Sequence, residues 1–271
     1  MSSRPRKLRS AVRVLSGLLF VVGLLMVAHT VVTLVWQEPF TRGTAKAAQK
    51  RARLRLDDPT LERLRPAELV RVSRVTGDRN QIAYLANRLE RRTLAGDALG
   101  SIRIPRIDAS FAFMRGTGTE ALKRGPGHYA GTVLPGQPGT VGIAGHRTTY
   151  LAPFRKLNEL KRGDTVELRM PYGTFTYAVE GTVIVDPEKT EVLRTVKHDR
   201  VVLTACHPLS SSAQRIVVSA RLVRSKTKAA RLQVLGDGSV LAALPGLAEM
   251  PQRLPVRLAP LTTNPHFGGS V

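Results

Sequence analysis

The feature that most constrains this chain is a long run without a charged side chain, from Val14 to Trp36. As an α-helix it would be about 35 Å long at 1.5 Å per residue, enough to cross the hydrocarbon core of a bilayer. A cleaved signal peptide is the rival interpretation, since Ala45-Lys46-Ala47 loosely resembles a cleavage site, but its apolar region is only about 7 to 15 residues long. The run therefore predicts an uncleaved transmembrane anchor, residues 14–36, with Trp36 at an interface.

The charges around this helix fix its orientation only weakly, because basic residues stand on both sides of it. Residues 1–13 predict a basic cytoplasmic tail, and Arg42 and Lys46 follow the helix. The whole chain carries 42 Lys+Arg against 20 Asp+Glu, a net charge of +22. Such a charge favours an anionic partner, and the anchor directs the interpretation to lipid or a wall polymer, not to nucleic acid.

Three further regions follow the anchor. Residues 37–99, rich in Arg and Leu, predict a basic, partly helical stalk. Within it, the segment Asn80 to Leu94 has Ile82, Leu85 and Leu89 on one helical face, after a capping-type Asp78 or Asn80. Residues 100–224 predict a folded domain. Residues 225–271, with repeated prolines from Pro245 onward, predict an extension of uncertain order.

Short apolar runs separated by Gly and Pro fill residues 100–224 and predict β-strands. The runs are 102–107, 111–114, 139–145, 166–170, 174–185, 201–206 and 216–223. Pro171-Tyr172-Gly173 predicts a hairpin turn, and Ala152 to Leu160 a short helix that buries Phe154, Leu157 and Leu160. Together these patterns predict a mainly β domain, a closed or nearly closed barrel of roughly seven or eight strands with brief helices. No nucleotide-binding glycine loop or zinc-type spacing occurs, so no cofactor and no metal is expected.

Cys206, the only cysteine in the chain, ends one of these predicted strands. A single cysteine forms no intrachain disulfide, and one thiol is too few for a cysteine-built zinc site. Two interpretations remain, a reactive nucleophile and an inert side chain of the core. The residues around it have to decide between them.

A cysteine nucleophile needs a base or an ion-pair partner, because little of an unperturbed thiol is ionised at neutral pH. His146 follows a predicted strand next to Gly145 and can face a cleft, although it could equally be a hydrogen-bonded structural histidine. His207 would point to the opposite face from Cys206 if the strand continues. The other histidines lie in the anchor, in loops or in the extension and are given no role: His29, His128, His198 and His266.

Arg215 begins the predicted strand after Cys206, across the loop HPLSSSAQ. If the two strands are neighbours, its guanidinium lies beside the thiol. A permanently charged group with several donors suits the oxyanion that forms when an amide carbonyl is attacked. Cys206, His146 and Arg215 would thus form a coherent site for acyl transfer through a thioester.

Three segments resemble motifs of the sortase family, most closely the class E sortases of high-GC Gram-positive bacteria. They are GIAGHRTTYLAPFRKLNELKRGD (142–164), LTACHP (203–208) and QRIVVSARL (214–222). With GPGHY and IRIPRI upstream, the similarity covers about residues 100 to 223. In the usual TLxTC motif, Val202 and Ala205 replace the flanking threonines here, which changes the polarity of the pocket but leaves the nucleophile intact.

The resemblance implies an eight-stranded β-barrel held outside the cell membrane by a single-pass anchor. It implies Cys206 as nucleophile, His146 as general acid and base, and Arg215 as the group that stabilises the oxyanion or the substrate. The enzyme would cleave a C-terminal LPxTG signal, or LAxTG as in class E, between Thr and Gly. It would then transfer the protein to an amine of a peptidoglycan precursor or a pilin.

Two alternatives remain at this point. A membrane-anchored cysteine peptidase would use the same residues but resolve the thioester with water. A non-enzymatic basic module that binds anionic wall polymers would need no Cys206.

Overall fold

The computed structural model describes residues 4–36, 39–58, 68, 71–72, 75, 77–227, 232–234 and 240–242. Within these ranges the helices are α1 (Arg4–Trp36), α2 (Pro39–Leu56), α3 (Asp78–Arg92) and α4 (Thr119–Arg124). The strands are β1 (Ala98–Ile104), β2 (Ala109–Arg115), β3 (Gly127–His128), β4 (Thr140–Ala144), β5 (Thr165–Met170), β6 (Gly173–Val185), β7 (Arg200–His207), β8 (Gln214–Thr227), β9 (Leu232–Val234) and β10 (Val240–Ala242). Single 3-10 turns lie at Pro105–Ile107, Leu157–Glu159 and Thr190–Leu193.

Strands β1 to β8 form a closed barrel in the order β1-β2-β3-β4-β7-β8-β6-β5. The ring closes where β5 pairs with β1. The β2–β3 and β4–β7 pairs are parallel and the other pairs are antiparallel. The mainly β barrel predicted from the sequence is therefore confirmed.

The alternation of side chains along the strands explains why this sequence closes around one core. In β5, Val166, Leu168 and Met170 are buried while the residues between them are more exposed. Strand β7 is buried continuously from Val201 to Ala205, as expected for a strand covered on both faces. Each fully buried aliphatic or aromatic side chain contributes roughly 1.5–3 kcal/mol to stability, so the barrel has a substantial apolar core.

Two local predictions in this domain have different outcomes. The hairpin turn is confirmed, because Met170 and Gly173 are paired across Pro171 and Tyr172. The helix predicted from Ala152 to Leu160 is wrong, since only one 3-10 turn forms there. Positive φ angles at Tyr150, Leu151 and Ala152 turn the backbone away from helical geometry, although Phe154, Leu157 and Leu160 are buried as expected.

Helix α3 is part of the barrel core. Its Ile82, Ala86 and Leu89 are buried within the same cluster as the strand residues, which confirms the predicted helix around residues 80–94. The helix begins at Asp78 after Gly77, which has no side chain that could cap it. Asp78 thus lies in the first turn, where a carboxylate is favoured by the helix dipole.

Helix α2 is attached to the barrel through Gln49, which is buried between Ala45 and Ala52. The Gln49 Nε2 donates to the Ala112 carbonyl at 2.9 Å, and the Ala112 N–H donates back to Gln49 Oε1 at 2.8 Å. The same Nε2 also donates to the carbonyl of Arg124 at 2.6 Å. The amide thus satisfies both backbone groups of a β2 residue, as a neighbouring strand would do.

The two ends of the chain contain further described elements. Helix α1 includes the segment Ala11–Val32, which has a mean hydropathy of 2.3 and is long and apolar enough to cross a membrane. A signal sequence near the N-terminus satisfies the same criteria. Strand β8 continues to Thr227, where it pairs with Gly173. Of the predicted C-terminal extension, the structure describes 225–227 and the antiparallel pair β9–β10, and the other residues lie outside the described ranges.

Candidate active site

The end of β7 places Cys206 opposite Arg215 at the start of β8. Directly opposed residues of an antiparallel pair have their side chains on the same face, with Cβ atoms about 4.5–5.5 Å apart. Both residues are half-buried, and Cys206 is a free thiol. The structure therefore brings together the two residues that the loop HPLSSSAQ separates in sequence.

His146 reaches the same end of the barrel through the parallel pair β4–β7. Ala144 is in register with Thr204, and the Gly145 N–H donates to the Thr204 carbonyl at 3.0 Å. Strand β4 ends at Ala144, so His146 follows this last pair by two residues, as Cys206 does along β7. Neighbouring strands lie about 4.8 Å apart. The three predicted site residues thus share one end of the barrel.

Glycine at position 145 is required by the loop that follows His146. A Cβ at this position would lie 2.5 Å from the ring of Phe154, which is fully buried. The Phe154 N–H also donates to the His146 carbonyl at 3.0 Å. The loop therefore folds back over Gly145, and this packing fixes the backbone of the histidine.

The environment of the His146 ring favours its neutral form. Burial lowers the pKa of His146, because desolvation penalises the imidazolium. The ring of Tyr150 lies 5.2 Å from it at a tilt of 36°. An imidazole that readily accepts and returns a proton suits general acid and base catalysis.

The Arg215 guanidinium is directed partly into its own loop. Its Nη1 donates to the carbonyls of Ser212 and Gln214 at 2.9 and 3.0 Å. These bonds hold one of the two terminal nitrogens of the guanidinium. Arg215 is thus half-buried and lies opposite Cys206 in the β7–β8 pair, where a substrate carbonyl can approach both side chains.

Arg147 is a site residue that the sequence reasoning missed. Its side chain is buried and donates to the Cys206 carbonyl at 3.4 Å and to His207 Nδ1 at 3.2 Å. Further bonds go to the Arg155 carbonyl and to Asn158 Oδ1. The one available signal was its place directly after His146, within the segment 142–164 that resembles a sortase motif.

The other histidines have separate positions. His207 contacts Arg147 and lies one residue beyond Cys206, in agreement with the expected alternation along the strand. His128 is buried in β3 against the Val133 carbonyl at 3.0 Å, and burial lowers its pKa. His198 lies 3.2 Å from Glu180. His29 is in α1 and His266 is outside the described residues. Among the described residues, no group of three His, Cys, Asp or Glu side chains could hold a metal ion.

Comparisons with known proteins agree with this geometry. A model of the Sortase domain matches residues 102–223. Sortase D of Bacillus subtilis is 34% identical over 137 residues, which are 50% of this chain and 67% of that protein. This chain belongs to the sortase family. As a sortase it is a cysteine transpeptidase, and its eight-stranded barrel is the sortase fold.

Further relatives place the chain near more than one sortase class. Sortase SrtE1 of Streptomyces coelicolor is 28% identical over 149 residues, covering 49% of this chain but only 42% of that protein. The solved structure of the Sortase D5 transpeptidase of Clostridium perfringens superposes with a TM-score of 0.52 at 20% identity, over 66% of this chain and 99% of that chain. That superposition shows the shared fold. The resemblance to class E is supported in part, since a sortase D is among the relatives as well.

Proposed function

We propose that this sortase is a membrane-anchored, extracellular transpeptidase that cleaves a C-terminal LPxTG- or LAxTG-like signal between Thr and Gly. The observation that carries the proposal is the convergence of Cys206, Arg215 and His146 at one end of the barrel. Two independent registers, β7–β8 and β4–β7, produce it. We assign Cys206 as nucleophile, His146 as general acid and base, and Arg215 as the group that stabilises the oxyanion.

In the first step neutral His146 takes the proton of the Cys206 thiol, and the resulting thiolate attacks the carbonyl carbon of the Thr residue. The carbonyl oxygen becomes negatively charged, and the permanently charged Arg215 stabilises it. The C–N bond then breaks, the imidazolium of His146 gives its proton to the leaving amine of Gly, and a thioester forms on Cys206. Neutral His146 remains.

In the second step an amine of a peptidoglycan precursor or a pilin attacks the thioester carbonyl. His146 accepts the proton of the attacking amine, the C–S bond breaks, and the new amide leaves with the acceptor. The thiolate and the imidazolium are thereby restored. Water would complete the same cycle as hydrolysis, so the acceptor decides whether the enzyme is a transpeptidase or a peptidase.

The anchor is proposed from α1. Its segment Ala11–Val32 is as apolar and as long as a membrane-spanning helix requires, and it is exposed along its length. We propose that it remains uncleaved and that the barrel lies outside the cell. A periplasm-type reporter fused after Val223 should then be active. A processed protein that begins near Ala48 would contradict the anchor.

The proposed reaction is tested by incubating the purified protein with LPxTG and LAxTG peptides and a labelled amine. Mass spectrometry should detect a peptide that ends at Thr joined to the amine, together with the released Gly fragment. The Cys206→Ala variant is the control and should give neither product. Hydrolysed peptide without any amine adduct would favour the peptidase alternative.

A further inference from the structure

Arg147 is a buried cation whose hydrogen-bond acceptors in the described part of the chain are all neutral groups. Only 4% of the residue is exposed. Its hydrogen bonds in the described part of the chain go to two carbonyls, one amide oxygen and one imidazole nitrogen. Arginine is almost never fully buried unless it is paired, because removing a charge from water has a large free-energy cost. The burial of this charge therefore points to a specific structural or catalytic role.

The acceptors of Arg147 fall into two groups that no strand pairing connects. The first group lies in the loop after His146 and comprises the Arg155 carbonyl, at 3.2 Å from Nη2, and Asn158 Oδ1, at 2.8 Å. The second group lies at the end of β7 and comprises the Cys206 carbonyl and His207 Nδ1. The guanidinium therefore bridges the loop and the strand end beyond the last backbone bond between Gly145 and Thr204.

We propose that Arg147 is a positioning residue that fixes the distance between His146 and the nucleophile Cys206 and supplies a permanent positive charge behind the thiol. This inference rests on the proposed function, in which both side chains take part in the reaction. It differs from the proposed role of Arg215, which is more exposed and would stabilise the oxyanion.

The geometry also sets the protonation pattern around the thiol. A guanidinium only donates, so His207 Nδ1 accepts its hydrogen bond and the ring proton of His207 is on Nε2. Desolvation and the neighbouring Arg155 lower the pKa of Arg147, while the charge of Cys206 raises it. The thiolate and the guanidinium therefore attract each other. Titratable or charged groups that the structure describes around this end of the barrel include His146, Tyr150, His207, Arg155 and Arg215.

The full chain offers a direct test because it has one cysteine, so alkylation by iodoacetamide reports on Cys206 alone. The variants are Arg147→Gln, which removes the charge, Arg147→Lys, which keeps it, and Asn158→Ala, which loosens the bridge from the loop side. Arg224→Gln is the matched control, since it removes the same charge at an exposed position of β8 nine residues beyond Arg215. Each protein is measured for peptide turnover, for alkylation rate across pH 5 to 9 and for thermal unfolding.

We expect Arg147→Gln to lower kcat about 10²-fold with KM changed less than about twofold, because a displacement of about 1 Å has an effect of that size. Its alkylation near pH 7 should slow about tenfold, since the thiolate loses a nearby opposite charge. Arg147→Lys should restore most of the alkylation rate but little of kcat, because it keeps the charge and loses the fork. Asn158→Ala should lower kcat a few-fold, and Arg224→Gln should leave both rates within about twofold.

A folded Arg147→Gln protein with kcat and alkylation rate like the wild type overturns the inference. If that variant does not fold, Arg147→Lys decides, because a kcat like the wild type in a folded Lys variant also overturns it. Failure of the proposed function has a different signature. A wild-type protein that transfers no peptide, but whose alkylation rate still depends on Arg147, refutes the transpeptidase reaction and leaves the positioning role in place.

Discussion

Cys206 and Arg215 are held in a different way from His146. The first two lie opposite each other in the β7–β8 ladder, where a continuous set of backbone bonds fixes their register. His146 lies past the end of β4, in a loop held by the packing of Phe154 on Gly145 and by the bonds of Arg147. The strand pair should therefore tolerate changes of side chains, while the loop depends on particular ones.

The largest expected effect is the loss of turnover when the reactive side chain of either region is removed. Cys206→Ala and His146→Ala should each reduce turnover by about 10⁴-fold or more, because the nucleophile or the proton donor is lost. Peptide binding should be largely retained. Turnover assays and binding by fluorescence anisotropy measure both quantities. Turnover of His146→Ala within about tenfold of the wild type would remove the loop from the reaction.

Arg215→Lys tests whether the strand pair supplies more than the thiol. The change keeps the charge but loses the planar fork, so we expect a decrease in kcat/KM of about 10²–10³-fold, typical for the loss of an oxyanion donor. His207→Ala, next to the nucleophile but on the other face of β7, is the control and should lose less than about tenfold. If Arg215→Lys has normal kinetics, another arginine takes the third role.

Gly145→Ala tests the loop directly. The added Cβ would overlap the ring of Phe154, so we expect His146 to shift and kcat to fall about 10-fold to 10²-fold. Ile82→Ala in α3 is the matched control for stability. It should destabilise the fold by about 2–5 kcal/mol and leave kcat of the folded protein unchanged. If kcat falls in both variants in proportion to the loss of stability, the loop is no more important for turnover than the core.

The smallest effect concerns stability at low pH. Burial lowers the pKa of both His146, in the loop, and His128, in β3. The unfolded chain therefore binds protons first when the pH falls below about 6.5, and the folded state loses stability there. Thermal unfolding should show a Tm that falls by several degrees between pH 7 and pH 5, and His128→Gln should reduce this slope. A Tm that rises over this range would contradict the sign.

The sequence predicted the strand pair better than the loop, for physical reasons. Apolar alternation specifies strands, and a short loop between two strands makes them neighbours, so the contact of Cys206 and Arg215 followed from local patterns. The closure between β5 and β1 and the parallel pairing of β4 with β7 join distant segments, which periodicity does not show. The number of short strands and the resemblance to sortases both indicated a barrel, and the structure supplied these pairings.

The failed helix prediction and the buried polar residues have a common cause. In both places contacts between distant segments override the local propensity of the sequence. The apolar spacing at residues 152–160 is that of a helix, yet positive φ angles before it leave one 3-10 turn. No local pattern singled out the polar residues Gln49 and Arg147, and both are buried because backbone groups of distant segments accept or donate hydrogen bonds there. Composition contains no information about such partners.

We propose that Cys206 carries the acyl group between the two halves of the reaction. Rapid acid quenching of the full-length enzyme with an LAxTG peptide, followed by mass spectrometry, tests it most directly. We expect a covalent adduct of the peptide ending at Thr, located on Cys206, that disappears when an amine is added and is absent from Cys206→Ala. Turnover of the peptide without such an adduct, or an adduct that persists in Cys206→Ala, would contradict it.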